Sequence, residues 1–218
     1  MLLGLWNIRS ISTKVDIVYE ILGEGLDILV LTETWHRSSS DISVKLTLPP
    51  GYNFVDKVRF SDPSHSGLIV YFRSIFKFKI IQLPLFKTFE ALALKLNVNK
   101  QFFIVLAVYR PGSAQISSMF FVELRSVLDH ITLLGTQIIV VGDLNVHIER
   151  VDDHHTISFI EIFDQFKLNN RINEPTHIMS GILDLVFSSY NLPVIKCKVF
   201  PSSTFSDHSL IYAVMGTN

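Results

Sequence analysis

Four consecutive β-branched residues, Ile138-Ile139-Val140-Val141, run straight into Gly142 and then into Asp143-Leu144-Asn145. An uninterrupted apolar run of this kind reads as a strand buried on both faces, ended here by Gly142. Residues two apart at a strand end can project the same way, so Asp143 and Asn145 would stand together at the mouth of a sheet. An Asx turn after a buried strand explains Gly-Asp-Leu-Asn equally well on its own. What favours a site is that similar polar endings recur on other strands.

The flanking pattern alternates strands and helices. Leu2 to Ile8 reads as a short strand ending in Asn7. Ser10 or Ser12 is placed to cap a helix with Val15, Val18, Tyr19 and Leu22 on one face, and Gly23 and Gly25 stop it. Leu26 to Leu31 is a second buried strand, leading into Thr32-Glu33-Thr34-Trp35, so the first thirty or so residues form a βαβ-like unit. Residues 36–51 are polar, end in Pro49-Pro50-Gly51, and read as a loop. Tyr52 to Val58 and Gly67 to Phe72 read as strands around a mobile loop, Arg59 to Ser66. Leu92, Leu94, Leu96 and Val98 alternate with smaller or polar residues and pair through a turn with Phe102 to Tyr109 as a hairpin. A helix with Phe121, Leu124, Leu128 and Ile131 precedes the Ile138 strand, and one with Phe159, Ile162, Phe163 and Phe166 follows it. Leu183 to Phe187, Val194 to Phe200 and Leu210 to Met215 complete the strands. The order suggests two similar halves, and so two stacked sheets with helices outside.

Composition narrows the class. The chain of 218 residues is 48% apolar and 11% aromatic, fits one large domain over 1–218, and is far from a disordered composition. No apolar run reaches the roughly 18 residues that span a bilayer, and Asn7 and Arg9 cut the apolar start short of a signal peptide, so neither membrane insertion nor secretion is expected. The single Cys197 excludes an internal disulfide and fits a reducing compartment. A net charge of -1 advertises no nucleic-acid partner, so any such binding comes from local patches. The mean hydropathy of +0.36 hints that further chain or a partner covers some surface.

The polar strand endings are Asn7, Glu33, Tyr109, Asp143 with Asn145, and Asp207 with His208, joined by Asp184 inside its strand. Hard carboxylate oxygens such as Glu33 bind Mg²⁺, which needs only one or two protein carboxylates and neutralises charge on a phosphate. A histidine next to an acid can be held protonated to stabilise a phosphorane or move a proton. Asp184 in an apolar strand is expensive unless paired, which favours a histidine partner. No zinc-spaced Cys/His cluster occurs, and His154, His155 and His177 lack partners at ligand spacing. Ser206-Asp207-His208 is not read as a serine-hydrolase triad, because adjacent Asp and His do not easily form the relay and no nucleophile elbow is present.

Seven segments, in order, resemble the endonuclease/exonuclease/phosphatase superfamily, and within it the apurinic-like endonuclease domains of LINE-type non-LTR retrotransposons. They are Trp6-Asn7-Ile8-Arg9-Ser10, Leu31-Thr32-Glu33-Thr34-Trp35, Tyr109-Arg110-Pro111, Gly142-Asp143-Leu144-Asn145, Pro175-Thr176-His177, Leu183-Asp184-Leu185-Val186-Phe187 and Ser206-Asp207-His208. The resemblance implies a four-layered α/β/β/α sandwich of two stacked mixed sheets, a Mg²⁺ cofactor (with Mn²⁺ as a substitute), and a strand nick leaving a 3′ hydroxyl for target-primed reverse transcription. It implies a double-stranded DNA partner, a downstream reverse transcriptase domain, synthesis in the cytoplasm and action in the nucleus.

The roles it implies are specific. Glu33 is the principal metal ligand, with Asn7 beside it and Asp207 near the metal. Asp143 orients or deprotonates the attacking water, and Asn145 holds that water or a phosphate oxygen. Tyr109 donates to the phosphate or leaving group, and His208 contacts the phosphate with Asp184 fixing its ring. Thr176 and Ser206 are expected to hold DNA backbone or to support the site side chains from behind, and Arg110 and His177 are expected on the substrate side. A hairpin before the Asp184 strand enters the DNA minor groove in the resembled endonucleases. Here that segment, His177 to Gly181, is short and poor in cations. Where those endonucleases often have consecutive glycines, this chain has Ser64-His65-Ser66-Gly67. Alternatives are a repair apurinic endonuclease, a lipid or inositol phosphatase, or a domain that binds DNA without cutting it.

Overall fold

A computed structural model describes residues 1–59, 65–202 and 206–216. In the first half, β1 (Leu2–Asn7), α1 (Val15–Gly23) and β2 (Ile28–Thr32) are followed by α2 (Ile42–Leu46), β3 (Tyr52–Lys57) and β4 (Leu68–Arg73). The second half runs β5 (Lys77–Ile81), β6 (Glu90–Val98), β7 (Gln101–Tyr109), α3 (Ser118–Thr132), β8 (Ile138–Asp143), α4 (His154–Gln165), β9 (Leu168–Asn170) and β10 (Asp184–Ser189). β11 (Val194–Val199) and β12 (Ile211–Met215) then return to the first sheet.

The strands form two six-stranded mixed sheets, in the orders β11-β12-β1-β2-β4-β3 and β5-β6-β7-β8-β10-β9. Each has one parallel pair at its centre, β1 with β2 and β7 with β8, flanked by antiparallel neighbours. A helix, α1 or α3, makes the crossover between each parallel pair. The two halves expected from the sequence are therefore two copies of one sheet plan, packed face to face.

Alternation along the strands decides which side each residue fills. On β2, Ile28 and Val30 point into the core between the sheets, while Leu29 and Leu31 pack under α1 with Val18, Ile21 and Leu22. On the other side, Phe120, Leu124, Val127, Leu128 and Ile131 of α3 and Phe159, Ile162 and Phe163 of α4 cover the second sheet. That is the four-layered sandwich, with each fully buried Leu, Ile or Phe contributing about 1.5–3 kcal/mol. Ser117 caps α3 by accepting from Phe120 N–H, and Asp153 caps α4 by accepting from His155 and Thr156 N–H.

Several local expectations are corrected. Neither Ser10 nor Ser12 caps α1; their hydroxyls bond each other, and Lys14 stands at the N-cap without a side-chain bond. Tyr19 faces solvent, and the buried stripe is Val18, Ile21 and Leu22. The 36–51 stretch holds the short helix α2, nucleated by Asp41 accepting from Ser43 N–H. Gly142 does not end its strand; β8 runs on to Asp143. Phe120 rather than Phe121 sits in the core, and β5 and β9 were not expected. Most of the loop expected between Arg59 and Ser66 lies outside the described residues.

Candidate active site

Two parallel strand pairs, one per sheet, end at the same rim. Asn7 closes β1 in register with Thr32, and Glu33 follows β2 directly. Tyr109 closes β7 opposite Asp143 at the end of β8, and Asp184 opens β10 against the same Asp143. His208 arrives just ahead of β12, bridged to His177. Carboxyl ends of parallel strands are where α/β sheets present ligand-binding groups.

Local backbone is bent to serve this rim. Glu33, Trp35, Arg9 and Asn145 have φ of +50°, +53°, +45° and +49°, and non-glycine residues in the left-handed region cost about 1 kcal/mol or more unless neighbours enforce them. Gly142 allows β8 to lie against β7: a Cβ there would stand 1.8 Å from the Val108 carbonyl oxygen. Gly67, at φ +104°, lets the Glu33 turn close, since a Cβ would meet Thr34 Oγ1 at 2.5 Å. Behind that turn His36, only 1% exposed, bonds Thr34 Oγ1 at 2.6 Å and Asp56 Oδ2 at 3.0 Å.

The side chains meet through short bonds. Asn7 Nδ2 donates to Glu33 Oε1 at 3.0 Å and to Asp143 Oδ2 at 2.8 Å. Tyr109 donates its hydroxyl to the same Glu33 oxygen at 3.1 Å. Asp143 Oδ1 accepts from Asn145 N–H at 3.0 Å, so the Asx turn expected at Gly-Asp-Leu-Asn exists and is part of the site. His208 Nδ1 lies 2.7 Å from Asp184 Oδ2. Its Nε2 stands 3.5 Å from Asn7 Nδ2, and two donors at that distance do not bond, leaving the Nε2 hydrogen to the cleft.

Electrostatics follow from this crowding. Burial raises the Asp143 carboxyl, and the charge of Asp184 raises it further against the opposing pull of His208 and the Asn7 amide. Burial alone would lower His208, but the charge and hydrogen bond of Asp184, with Asp143 and Asp207 beyond, overcome it and push the imidazole up to about 9. Burial, then Glu33 and Asp143, keeps the Tyr109 phenol protonated far above neutral pH.

Thr176 and Ser206 take the supporting alternative, and Arg110 is occupied with backbone carbonyls. Thr176 is fully buried, and its hydroxyl accepts from Leu183 and Asp184 N–H, fixing the start of β10. Ser206 donates to the Asn7 carbonyl at 2.9 Å and accepts from His208 N–H, tying β1 to the histidine. Arg110, just past the end of β7, is buried and donates to the carbonyls of Leu144, Ala114 and Asn145. It braces the Asn145 loop, whose amide in turn donates to the Arg110 carbonyl. His177 does line the cleft, 3.5 Å from Asp207 Oδ2 and edge-on to His208.

The cleft, about 470 Å³, is bounded by Arg9, Glu33, Tyr109, Asn145, His177 and Asp207, with Met179 and His147 at its edge. Sequence reasoning gave no role to Arg9, although it stands two residues past Asn7 in the same segment. Arg9 Nη1 bonds Asp207 Oδ2 at 2.5 Å, and its Nε lies 3.9 Å from Glu33 Oε2.

The donors fit a hard divalent cation at Glu33 and Asn7. The Asn7 amide oxygen is buried without a partner on a side chain whose nitrogen bonds the Glu33 carboxylate, and such oxygens are what Mg²⁺-like ions take. Two further clusters converge, Asp143–Asp184–His208 and His177–Asp207–His208. Both depend on His208, and an imidazole held protonated donates at both nitrogens and coordinates nothing.

The sequence pattern of the Endonuclease/Exonuclease/phosphatase family matches residues 4–208. No curated protein matches the chain. Among solved structures, the AP endonuclease LMAP from Leishmania major is 16% identical with a TM-score of 0.76, covering 97% of this chain and 86% of its own. The 3′ phosphatase NExo from Neisseria, bound to a product DNA hairpin, is 17% identical with a TM-score of 0.77 and full coverage of both, 100% and 100%. The endonuclease domain of TRAS1, a telomere-specific non-LTR retrotransposon, is 12% identical with a TM-score of 0.74, covering 97% of this chain and 96% of its own. At these identities the likeness establishes the fold.

Proposed function

The chain belongs to the endonuclease/exonuclease/phosphatase family, and on that footing we propose that it is a Mg²⁺-dependent DNA endonuclease, the nicking domain of a non-LTR retrotransposon. One observation carries the reading: Asn7, Glu33, Tyr109, Asp143 and the Asp184–His208 pair, drawn from both sheets, enclose one cleft through bonds of 2.7–3.1 Å, the longer His208–Asn7 approach aside.

Each group has a part in hydrolysis of a phosphodiester. Asp143, buried and raised, accepts a proton from the attacking water. The water oxygen bonds to phosphorus as the P–O3′ bond breaks, and the departing oxygen takes a proton from solvent water, giving a 3′ hydroxyl and leaving phosphate on the 5′ side. His208 presents its Nε2 hydrogen to a non-bridging oxygen, and Tyr109 donates its hydroxyl hydrogen bond to the same group. Asn145 steadies the water or a phosphate oxygen. Glu33 with Asn7 would hold a divalent cation, which neutralises phosphate charge and eases departure of the oxygen.

Substrate choice rests on groove shape. The His177 to Gly181 loop is closed by Ser180 N–H on the His177 carbonyl, and it presents exposed Ile178 and Met179 rather than cations. Such a tip reads deformable base steps rather than base edges. The 3′ hydroxyl would prime a reverse transcriptase further along the parent polyprotein, which sets the site of action in the nucleus. The test offers three substrates with Mg²⁺: intact supercoiled plasmid, a duplex with one abasic site, and an inositol polyphosphate. Nicking of intact DNA at least as fast as abasic DNA is expected. Turnover confined to abasic DNA or to the inositol phosphate overturns the retrotransposon reading.

A further inference from the structure

Along one side of the sandwich each sheet ends, among the described residues, in an uncovered strand: β3 for the first sheet and β5 for the second. An edge strand keeps every second N–H and C=O pointing away from its sheet, ready for another strand. The side chains of β5 define what that strand carries. Register sets Phe78 opposite Leu96 and Ile80 opposite Leu94, on the side that faces the core. Phe78 meets the Phe72 ring at 4.8 Å, yet Phe78 and Ile80 stay 45% and 43% exposed. Lys77 and Lys79 point to the opposite side, Lys79 directly across from Lys95. Like charges so placed repel. Lys95 leans away, its Nζ donating to the Leu134 carbonyl at 3.0 Å and lying 5.3 Å from the centre of the Phe102 ring. Among the described residues, no carboxylate forms an ion pair with any of these three lysines.

The apolar side of the edge continues into a groove. Between β3 and β5 lies a hollow of about 320 Å³, walled by Val55, Ile80, Ile81, Leu83, Leu85 and Phe86. Leu85 is 99% exposed, and Lys57 Nζ stands 4.8 Å from the centre of the Phe86 ring. The carboxylate at this groove, Asp56, is already bonded to His36. No residue lining the groove lines the catalytic cleft.

We propose that β5 is a docking edge for an extended segment of a partner protein in which apolar and acidic residues alternate, added as a seventh strand to the second sheet. Its apolar side chains continue the core over Phe78 and Ile80 and fill the groove at Leu85. Its carboxylates lie on the other face, against Lys77 and Lys79. A strand's period of two lets one segment meet both demands. A second copy of this chain does not, because β5 paired antiparallel with β5 sets lysines beside lysines on the shared face.

Fluorescence polarisation with a labelled peptide of about ten residues, alternating Val and Glu, tests the proposal. The unaltered chain binds it about tenfold or more tighter than the same peptide with Lys for Glu, or than the same residues sorted into a Val block and a Glu block. Lys77→Glu combined with Lys79→Glu reverses the preference, taking the Lys peptide over the Glu peptide. Leu85→Ser, at a side chain with no packing to lose, weakens binding about threefold or more. Bound peptide slows amide hydrogen exchange in β5 and leaves β11, an edge strand on the far side, unchanged. Equal binding of the three peptides overturns the proposal. So does a charge-reversed chain that still prefers the Glu peptide, or protection that appears in β3 or β11 in place of β5. A chain that sediments as a dimer with β5 protected gives the edge to a second copy and overturns it too. None of these readings uses nicking, so the proposal and the nuclease reading fail separately.

Discussion

Replacing Asp184 by Asn keeps the shape of the side chain and removes the charge that holds His208 protonated. In the native protein the imidazole is pushed from its ordinary 6.5 up to about 9. That rise is worth roughly 3 kcal/mol in favour of the imidazolium. At pH 7.5 nearly every chain therefore carries the Nε2 hydrogen that faces the phosphate. Without the Asp184 charge, burial is no longer overcome by its main opponent, and the imidazole falls to its ordinary range or below. About one chain in ten is then protonated at pH 7.5. The assay is kcat/KM for plasmid nicking between pH 5.5 and 9.5. The alkaline limb should move from about 9 towards 6.5, with a loss of about tenfold or more at pH 7.5 that narrows at pH 6. Stability should follow with the matching sign. A histidine whose folded value lies above its unfolded one stabilises the native state fully below about 6.5 and loses that contribution as pH rises through about 9. Asp184→Asn should lack this decline of Tm between those limits. An alkaline limb left at about 9 in the variant would refute the assigned role of the pair.

Glu33→Gln should lose cation binding and about a thousandfold of nicking, part of it recovered at high Mg²⁺, as followed by nicking across a Mg²⁺ titration. Gly142→Ala forces a Cβ onto the Val108 carbonyl and should cost about 3 kcal/mol, lowering Tm by roughly 6–12 °C in a calorimetric scan. His36→Ala strips partners from Thr34 and Asp56 beneath the Glu33 turn and should cost about 2–4 kcal/mol, a fall of roughly 5–15 °C in the same measurement.

Strong periodicity was readable, and weak or parity-dependent features were not. The Ile138 run, the Leu92–Tyr109 hairpin and the α3 and α4 stripes stand in the sequence because burial on one or two faces leaves a period. β5 left no such trace: Lys77-Phe78-Lys79-Ile80-Ile81 is an edge strand, largely exposed, and β9 is three residues long. The helix α2 spans five residues behind an Asp41 cap, too short to show a stripe. The polar strand endings were legible because both sheets deliver their carboxyl ends to one rim, and the structure brings Asn7, Glu33, Tyr109, Asp143, Asn145, Asp184 and His208 together there. The two arginines show where that reasoning fails. Arg110 sits next to Tyr109 in sequence, but its guanidinium is buried and occupied by the carbonyls of Leu144, Ala114 and Asn145. Arg9 reaches the cleft because φ turns positive past the end of β1, which no apolar pattern reports. Thr176 and Ser206 lie in site motifs for a reason one step removed from substrate: their hydroxyls hold the backbone of Asp184, Asn7 and His208.

Supercoiled plasmid incubated with the purified chain in Mg²⁺, in EDTA, and in Mg²⁺ with Asp143→Ala tests the whole arrangement most directly. Open circles carrying a 3′ end that a DNA polymerase extends, formed only by the unaltered chain with Mg²⁺, are the predicted result. Equal nicking by the Asp143→Ala protein, or nicking that survives EDTA, would contradict it.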